Sequence, residues 1–585
     1  MKRTSLLSIA FMATSFMMCT DNSNSVQPVA IITVDPASGS GKPGTNVTVN
    51  LAFDAPNGAS EMHVFVAGVE SDVVSLSGVA SPTTYVYTIP ADAVVGSSIT
   101  LGFQVVDNKG YYSGTASFQI TVGETLQGSI TANRTLDASQ QYIIKGQVFV
   151  ESGVTLTIPA GTILKGDKAS KGTLIIKPGG KLDALGEANN PVVFTSAQPI
   201  GARDRGDWGG VLLLGNAFVN QLAKPTIEGI TPAVSYGSSL AENATPITNA
   251  TENSGTIRYT RIEYAGIELT PNNETNSLTL GGVGNGTTLE YVQVSFGGDD
   301  GFEWFGGTVN GKYLVSHSSW DDDFDTDFGW GGNVQFGLAV RNTFFADQSG
   351  SNAFESDNQG NGNAIVGVCD GTTQAGCTRG VFSNMTILGP REIQSRTISA
   401  NFQNAAHIRR RTALSIFNSY FSGFRIGIRL DDQGTLDNLT AGAGKHAFNV
   451  LSVPGTTRIG ASTSASDANF ATGLSGGDAT AVATYWTNNS NTDFNNITTT
   501  TPHNDIGVNP VIFWGASTSS TYPSNPDFKL LAGVAGNSNL NSGANFADAK
   551  VSGAFFTPTT YRGAFSTTVD WTDGWSEFQP LNKQY

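Results

Sequence analysis

The sequence predicts an all-β chain: a long right-handed parallel β-helix preceded by a small β-sandwich. Three observations predict it. Gly fills 69 of 585 positions while charged residues make up only 14%, against a usual share of about 25%. No long stretch carries the 3.6-residue apolar period of a helix. Segments also echo one another at long intervals. Ile257–Gly266 returns as Leu289–Gly298, offset by 32, and Phe382–Gly389 returns as Phe417–Gly423, with Asn384/Asn418 and Gly389/Gly423 both 34 apart. A recurrence of that length is one coil of a solenoid.

At the N-terminus, Lys2-Arg3 precedes an apolar run from Leu6 to Met18 and then Cys19. The run is well short of the roughly 20 residues that span a bilayer. It resembles a bacterial lipoprotein signal with Cys19 as the lipidated residue, although Phe16, Met17 and Met18 stand where the usual box has Leu and small residues. The alternative is an ordinary secretion signal. The expectation is a signal peptide over 1–18 and a polar tether over 19–27. Asp21 resembles the surface-export tag of Bacteroidota lipoproteins. Net charge is −16, or −18 once Lys2 and Arg3 are removed, which argues against nucleic acid as a partner. Cys369 and Cys377 bracket a Gly-containing loop, and in an exported protein a local disulfide between them is the expectation.

Residues 28–123 read as a sandwich. Val47–Phe53, Met62–Val66 and Ser117–Val122 alternate apolar and polar residues between Gly, Pro and Asp turns. Phe103–Gly110 resembles the late strands of bacterial immunoglobulin-like modules. From 125 to 585 the text becomes strand, turn, strand. Val154–Gly166 is echoed by Leu174–Gly186. A single coil cannot bury its apolar face, so coils must stack. The polar stretch 458–508 departs from the pattern and is expected to form a lateral insertion. The aromatic ending, with Trp571, Trp575, Phe578 and Tyr585, is expected to cap the open end. Thr155–Ser196, Gly206–Val211, Arg258–Tyr264 and the ending Tyr561–Phe565 with Trp571–Trp575 resemble the pectin-lyase-like β-helix lipoproteins of Bacteroidota. That resemblance implies the fold strongly and function weakly, since β-helices serve enzymes, adhesins and scaffolds alike.

The chemistry concentrates between Asp299 and Asp357. Phe302-Glu303, Phe324-Asp325 and Phe354-Glu355 repeat one pair, with the Phe residues 22 and 30 apart. Eleven acids face two bases there, a balance of −9. From Arg379 to Arg429 eight arginines face one acid. Equivalent positions on stacked coils lie about 4.8 Å apart, where two carboxylates repel by about 1 kcal/mol even in water. A hard cation such as Ca²⁺ would offset this through oxygen ligands. Its candidate ligands are Asp299, Asp300, Glu303, Asp321, Asp322, Asp323, Asp325, Asp327 and Asp357. The alternatives are arginine pairing across coils and elevated carboxyl pKa values. Trp304, Trp320 and Trp330 are candidate sugar-stacking residues, and Arg409, Arg410 and Arg411 candidate ligand-binding ones.

A lyase of the resembled fold would need Ca²⁺ or basic residues to neutralise a uronate, and a base beside it. Arg409–Arg411 and His407 are the candidates. A pectin-type hydrolase is rejected, because Gly-His-Gly is missing and Gly427 stands where Lys is needed. The expected function is therefore non-catalytic binding of a glycan or partner by an outer-membrane, cell-surface lipoprotein, with Ca²⁺ at the acidic coils. A Ca²⁺-dependent polysaccharide lyase comes second. An accessory subunit of a transport or export complex, held to an outer-membrane β-barrel protein, comes third.

Overall fold

The computed structural model describes residues 29–94, 97–242, 249–270, 273–358, 376–452, 457–461, 478–487, 494–499, 501, 503–516, 522–533 and 538–585. The expected signal peptide, Cys19 and Cys369 fall outside them. Cys377 is disulfide-bonded.

The chain forms two compact units. The first holds Thr45–Ile89 and Ser98–Thr121 together with residues up to Ser40, and the second runs chiefly from Val122 to Tyr585. In the first unit, Ile31–Val34, Asn46–Asp54 and Ala80–Thr88 form one sheet. Ser38–Gly41, Ala116–Val122, Ser98–Asp107, Ala59–Val66 and Val69–Ser75 form the other, in that spatial order. Strict alternation drives the packing. In Asn46–Asp54 every second residue is buried (Val47, Val49, Leu51, Phe53), and Met62, Val64, Phe103, Val105, Phe118 and Ile120 are buried on the other sheet.

The second unit is a parallel β-helix whose strands form three faces. Sheet one stacks Thr155–Pro159 on Lys181–Leu185. It continues through the first halves of Gly255–Glu263, Thr288–Ser295, Gly311–His317, Asn333–Val340 and Val381–Leu388. The second halves of those strands continue sheet two, begun by the first half of Gln141–Val150 (as far as Ile144), Ile163–Gly166 and Val192–Ser196. Sheet three contains Thr173–Ile176, Val211–Leu214, Leu278–Gly281, Phe302–Phe305, Phe324–Asp327, Phe354–Ser356, Asn404–Ile408 and Ile426–Leu430.

The repeats fix the register. Ile257 pairs with Leu289 and Ile262 with Val294, the 32-residue offset. Ile387 pairs with Phe421, the 34-residue offset. A Cβ at Gly389 would lie 2.6 Å from the Gly423 carbonyl carbon, so the Gly389/Gly423 echo marks two backbones in close approach. The earliest echo needs correcting. Leu174–Ile176 stacks on sheet three, and the coil partner of Thr155–Pro159 is Lys181–Leu185, 26 residues on.

The corner between sheets one and two is left-handed on coil after coil. Tyr259, Tyr291, Tyr313, Phe336, Asn384, Asn418 and Phe448 all have φ between 44° and 64°. Such a backbone is costly for bulky residues, and ring stacking offsets it. Tyr259–Tyr291 and Tyr291–Tyr313 stack at 4.3 Å, and Tyr313–Phe336 at 5.1 Å.

The sequence reading places a cap in the last residues, and the structure corrects this. The terminal segment runs back along the flank of the helix. Asn545 bonds Asn418, Thr557 bonds Gln335, Trp571 meets Tyr313, Trp575 meets Tyr259, and Tyr585 reaches Lys165. It covers the outward Val315, Leu338, Val340, Leu388 and Val450 of sheet two. The core at the C-terminal coils is instead packed by helix α1, Gln433–Thr440, and helix α2, Asp478–Thr487. Leu436 and Leu439 of α1, with Val482, Tyr485 and Trp486 of α2, join the main core cluster. Helix α2 and all but the first residue of the coil strand Thr457–Ala461 lie in the stretch read as an insertion, so apolar α2 and a further coil are part of the solenoid itself.

Candidate functional site

Sheet three changes chemistry along its outer face. Its inward row is Leu278, Phe302, Phe324, Phe354, Ala406 and Ile428, all in register. The Phe302, Phe324 and Phe354 rings lie 5.6 and 5.2 Å apart in a fully buried column. The residue after each must point the other way. The outward row therefore reads Leu212, Thr279, Glu303, Asp325, Glu355, His407 and Arg429. The early, apolar end is covered by the 215–242 loop, whose Val219, Ile227, Val234 and Tyr236 cluster with Leu212 and Leu214. Beyond that cover the face turns acidic and then basic.

A second ladder forms at the turn entering sheet three. Asp300 accepts the backbone N–H of Asp322 at 2.7 Å, Asp322 accepts that of Asn352 at 2.5 Å, and Asn352 accepts that of Asn404 at 3.1 Å. Asn276 holds the equivalent place one coil earlier and donates its amide to Glu303. Asn276 was missed by the sequence reading. Its signal was its place two residues before Leu278, as Asp300 stands before Phe302 and Asp322 before Phe324.

Eight of the eleven acids of the block fall into two groups. In one, an arginine supplies the counter-charge. Asp323 accepts from the fully buried Arg341 at 3.2 Å and from Ser316 at 2.6 Å. Asp357 takes a two-pronged contact from Arg409 at 2.7 and 2.9 Å and a third from Arg410 at 2.5 Å. Glu355 meets Arg409 at 2.5 Å and His407 at 3.5 Å, while His407 Nε2 lies 2.8 Å from Asp431. In the other group, Asp299, Asp300, Glu303, Asp321 and Asp325 have no Lys, Arg or His within ion-pair distance among the described residues. They form two overlapping triads, Asp299–Asp300–Asp321 and Asp300–Glu303–Asp325, each with carboxylate oxygens within 4.8 Å of one another. Asp321 Oδ1 and Asp325 Oδ1 are buried with no hydrogen-bond partner.

Burial, reinforced by neighbouring carboxylates, sets their protonation. It pushes Asp299 up to about 7 and holds Asp300, Glu303, Asp321 and Asp325 well above the ordinary carboxylate range. Asp322 is pushed up to about 7 and Asp327 to about 8, burial again coming first.

The expected aromatic ligand contacts are largely overturned. Trp304 and Trp330 are fully buried in the core, because each falls on an inward position. Trp320 is half-buried, with the Arg205 guanidinium 3.5 Å over its ring and its Nε1–H donating to Asp347 at 2.8 Å. Arg411 is buried and its backbone N–H bonds Thr435. Partly exposed rings at the face come instead from Phe305 and Phe328, 5.2 Å apart. These two rings, with Tyr236, Asn276, Asp299, Asp300 and Glu303, line a cavity of about 280 Å³ where the 215–242 loop ends.

Fold and face together define a parallel β-helix protein with a carboxylate-rich outer sheet. Residues 128–501 match the model for the pectate-lyase like beta helix domain, and the chain belongs to that family. Among solved structures, the fibronectin(III)-like modules of Clostridium thermocellum CbhA match at 15% identity, over 16% of this chain and 95% of theirs, with a TM-score of 0.13. A comparison with curated proteins gave no match.

Proposed function

We propose that this protein is a non-catalytic glycan-binding β-helix of the cell surface, lipid-anchored through Cys19, which loads Ca²⁺ on the acidic coils of sheet three. The carrying observation is the pair of triads sharing Asp300, five clustered carboxylates without a basic partner among the described residues. Ca²⁺ accepts six to eight oxygens in flexible geometry, and the two unpartnered oxygens of Asp321 and Asp325 supply ligands at no cost in lost hydrogen bonds. Of the other expected ligands, Asp323 and Asp357 are already neutralised by arginine. The lyase reading ranks lower for the same reason. Arg409 and Arg410 are held by Glu355 and Asp357, and the Arg409 guanidinium is held even more firmly protonated than usual by those carboxylates, the opposite of what a base requires.

The test is a thermal melt of the protein stripped with chelator and then given Ca²⁺. Binding to the folded state raises stability by RT ln(1 + [L]/Kd), about 2.7 kcal/mol at a hundredfold excess over Kd. An unchanged melting temperature at millimolar Ca²⁺ removes the cation from the proposal. Unsaturated uronate products from acidic polysaccharides would replace binding with lyase activity.

A further inference from the structure

The cavity at the end of the 215–242 loop has a composition that a metal ion does not explain. Its floor is Asp299, Asp300, Glu303 and Asn276, with Glu228 and Glu274 at its sides, and its other wall is Phe305, Phe328 and Tyr236. No Lys, Arg or His is among the described residues lining it. An anionic sugar would therefore meet only carboxylates. A bare cation would use the oxygens and leave the aromatic wall idle. Asn276 adds an independent observation. Only 4% of it is exposed, its Nδ2–H₂ donates to Glu303 and Thr279, and its Oδ1 has no hydrogen-bond partner. A buried acceptor left unmatched costs about 1–3 kcal/mol, which a donor from a bound ligand recovers.

We propose that this cavity is a subsite for an amino sugar, taking its protonated amine on the carboxylate floor and its ring against Phe305 and Phe328. An ammonium has three N–H donors and no acceptor, and the floor offers Asn276 Oδ1 and the Asp300 and Glu303 carboxylates. The aromatic faces beside it favour a cation and the apolar face of a pyranose. The volume of about 280 Å³ is close to the lower limit of small-ligand pockets and suits one sugar unit. This subsite rests on reading sheet three as a glycan-binding face. It is compatible with Ca²⁺, since with the Asp299–Asp300–Asp321 triad occupied, Glu228, Glu274 and Glu303 still face the cavity.

The experiment is calorimetry on the full chain with a deacetylated glucosamine tetramer and its N-acetylated counterpart. The two share every hydroxyl and differ in the amine. We expect the deacetylated tetramer to bind at least tenfold more tightly, and Phe328→Ala and Glu303→Gln each to weaken it by tenfold or more. Equal affinity for the two tetramers, or binding of neither, overturns the proposal, and this arm needs no variant. Phe328→Ala alters no carboxylate, so its Ca²⁺-induced rise in melting temperature should be unchanged. Loss of amine binding with that rise retained counts for the subsite alone. A protein that shows the Ca²⁺ rise yet binds neither tetramer refutes the subsite and leaves the cation reading standing.

Discussion

Asp323 and Asp325 stand two residues apart in sequence and obey different physics. Asp323 belongs to the turn before Phe324, fully buried, and carries the counter-charge of the equally buried Arg341. Asp325 belongs to the strand, points outward between Glu303 and Glu355, and has one oxygen unpartnered. Asp323→Ala should leave Arg341 as an uncompensated buried charge and cost about 3–5 kcal/mol, read by chemical denaturation. Asp325→Asn should do the reverse in chelator, raising the melting temperature by removing a repelled, desolvated carboxyl, while weakening Ca²⁺ at least tenfold. A melting temperature that falls with Asp325→Asn in chelator would show that the triad is not strained by its own charge. The sequence revealed the acids and the alternation of Phe with acid. It did not show which arginine reaches which acid, because Arg409 and Asp357 are 52 residues apart across a connection of irregular length. Nor did it show that Trp304 takes the inward parity of its strand, or that Trp330, in the connection after Phe324–Asp327, also enters the core.

Coil register was the most legible feature at the level of elements. Offsets of 32 and 34 residues in the text are offsets in the sheets, because identical inward rows must superpose for a solenoid to bury its core. What the text hid is the left-handed corner, since Tyr and Phe are poor choices for positive φ. Their stacking pays only when the coils are assembled. Tyr291 lies between two rings at 4.3 Å and meets the edge of Trp575 at 5.9 Å. Tyr291→Ala should therefore cost about 2–4 kcal/mol, measured by denaturant unfolding. A loss below about 1 kcal/mol would mean that relief of backbone strain matches the lost stacking. The terminal segment was misplaced for a related reason. Its aromatics mark a surface to be covered, and sequence alone cannot tell the end of a solenoid from its flank. Deleting residues 557–585 should expose the apolar outer row of sheet two, lower the melting temperature and increase binding of an apolar dye. It should leave the Ca²⁺ response intact, because the acid ladder is on sheet three.

For the molecule as a whole, the clustering of acid turns pH into a stability variable of unusual sign. A carboxylate held by an ion pair has a depressed pKa, and acid destabilises such a protein. Here burial and mutual repulsion lift Asp299 and Asp322 to about 7 and Asp327 to about 8, against about 3.9 for Asp in an unfolded chain. Between those values the folded state holds protons that the unfolded state has released. Stability must then fall as pH rises, from about pH 4 until the folded groups have ionised near pH 8. Burial raises Asp323 as well, with the Arg341 guanidinium working against the shift. A bound divalent cation removes this fall in stability, because the ionised carboxylates become ligands, and loading must expel their protons. The chelated protein should therefore melt at a lower temperature at about pH 8 than at about pH 5.5. Millimolar Ca²⁺ should close most of that gap, with apparent affinity rising across the same interval. Melting curves at both pH values, with and without Ca²⁺, measure all of this. A chelated protein as stable at pH 8 as at pH 5.5 would mean that water or unseen partners already solvate the ladder, and the acidic coils would then have no need of a cation.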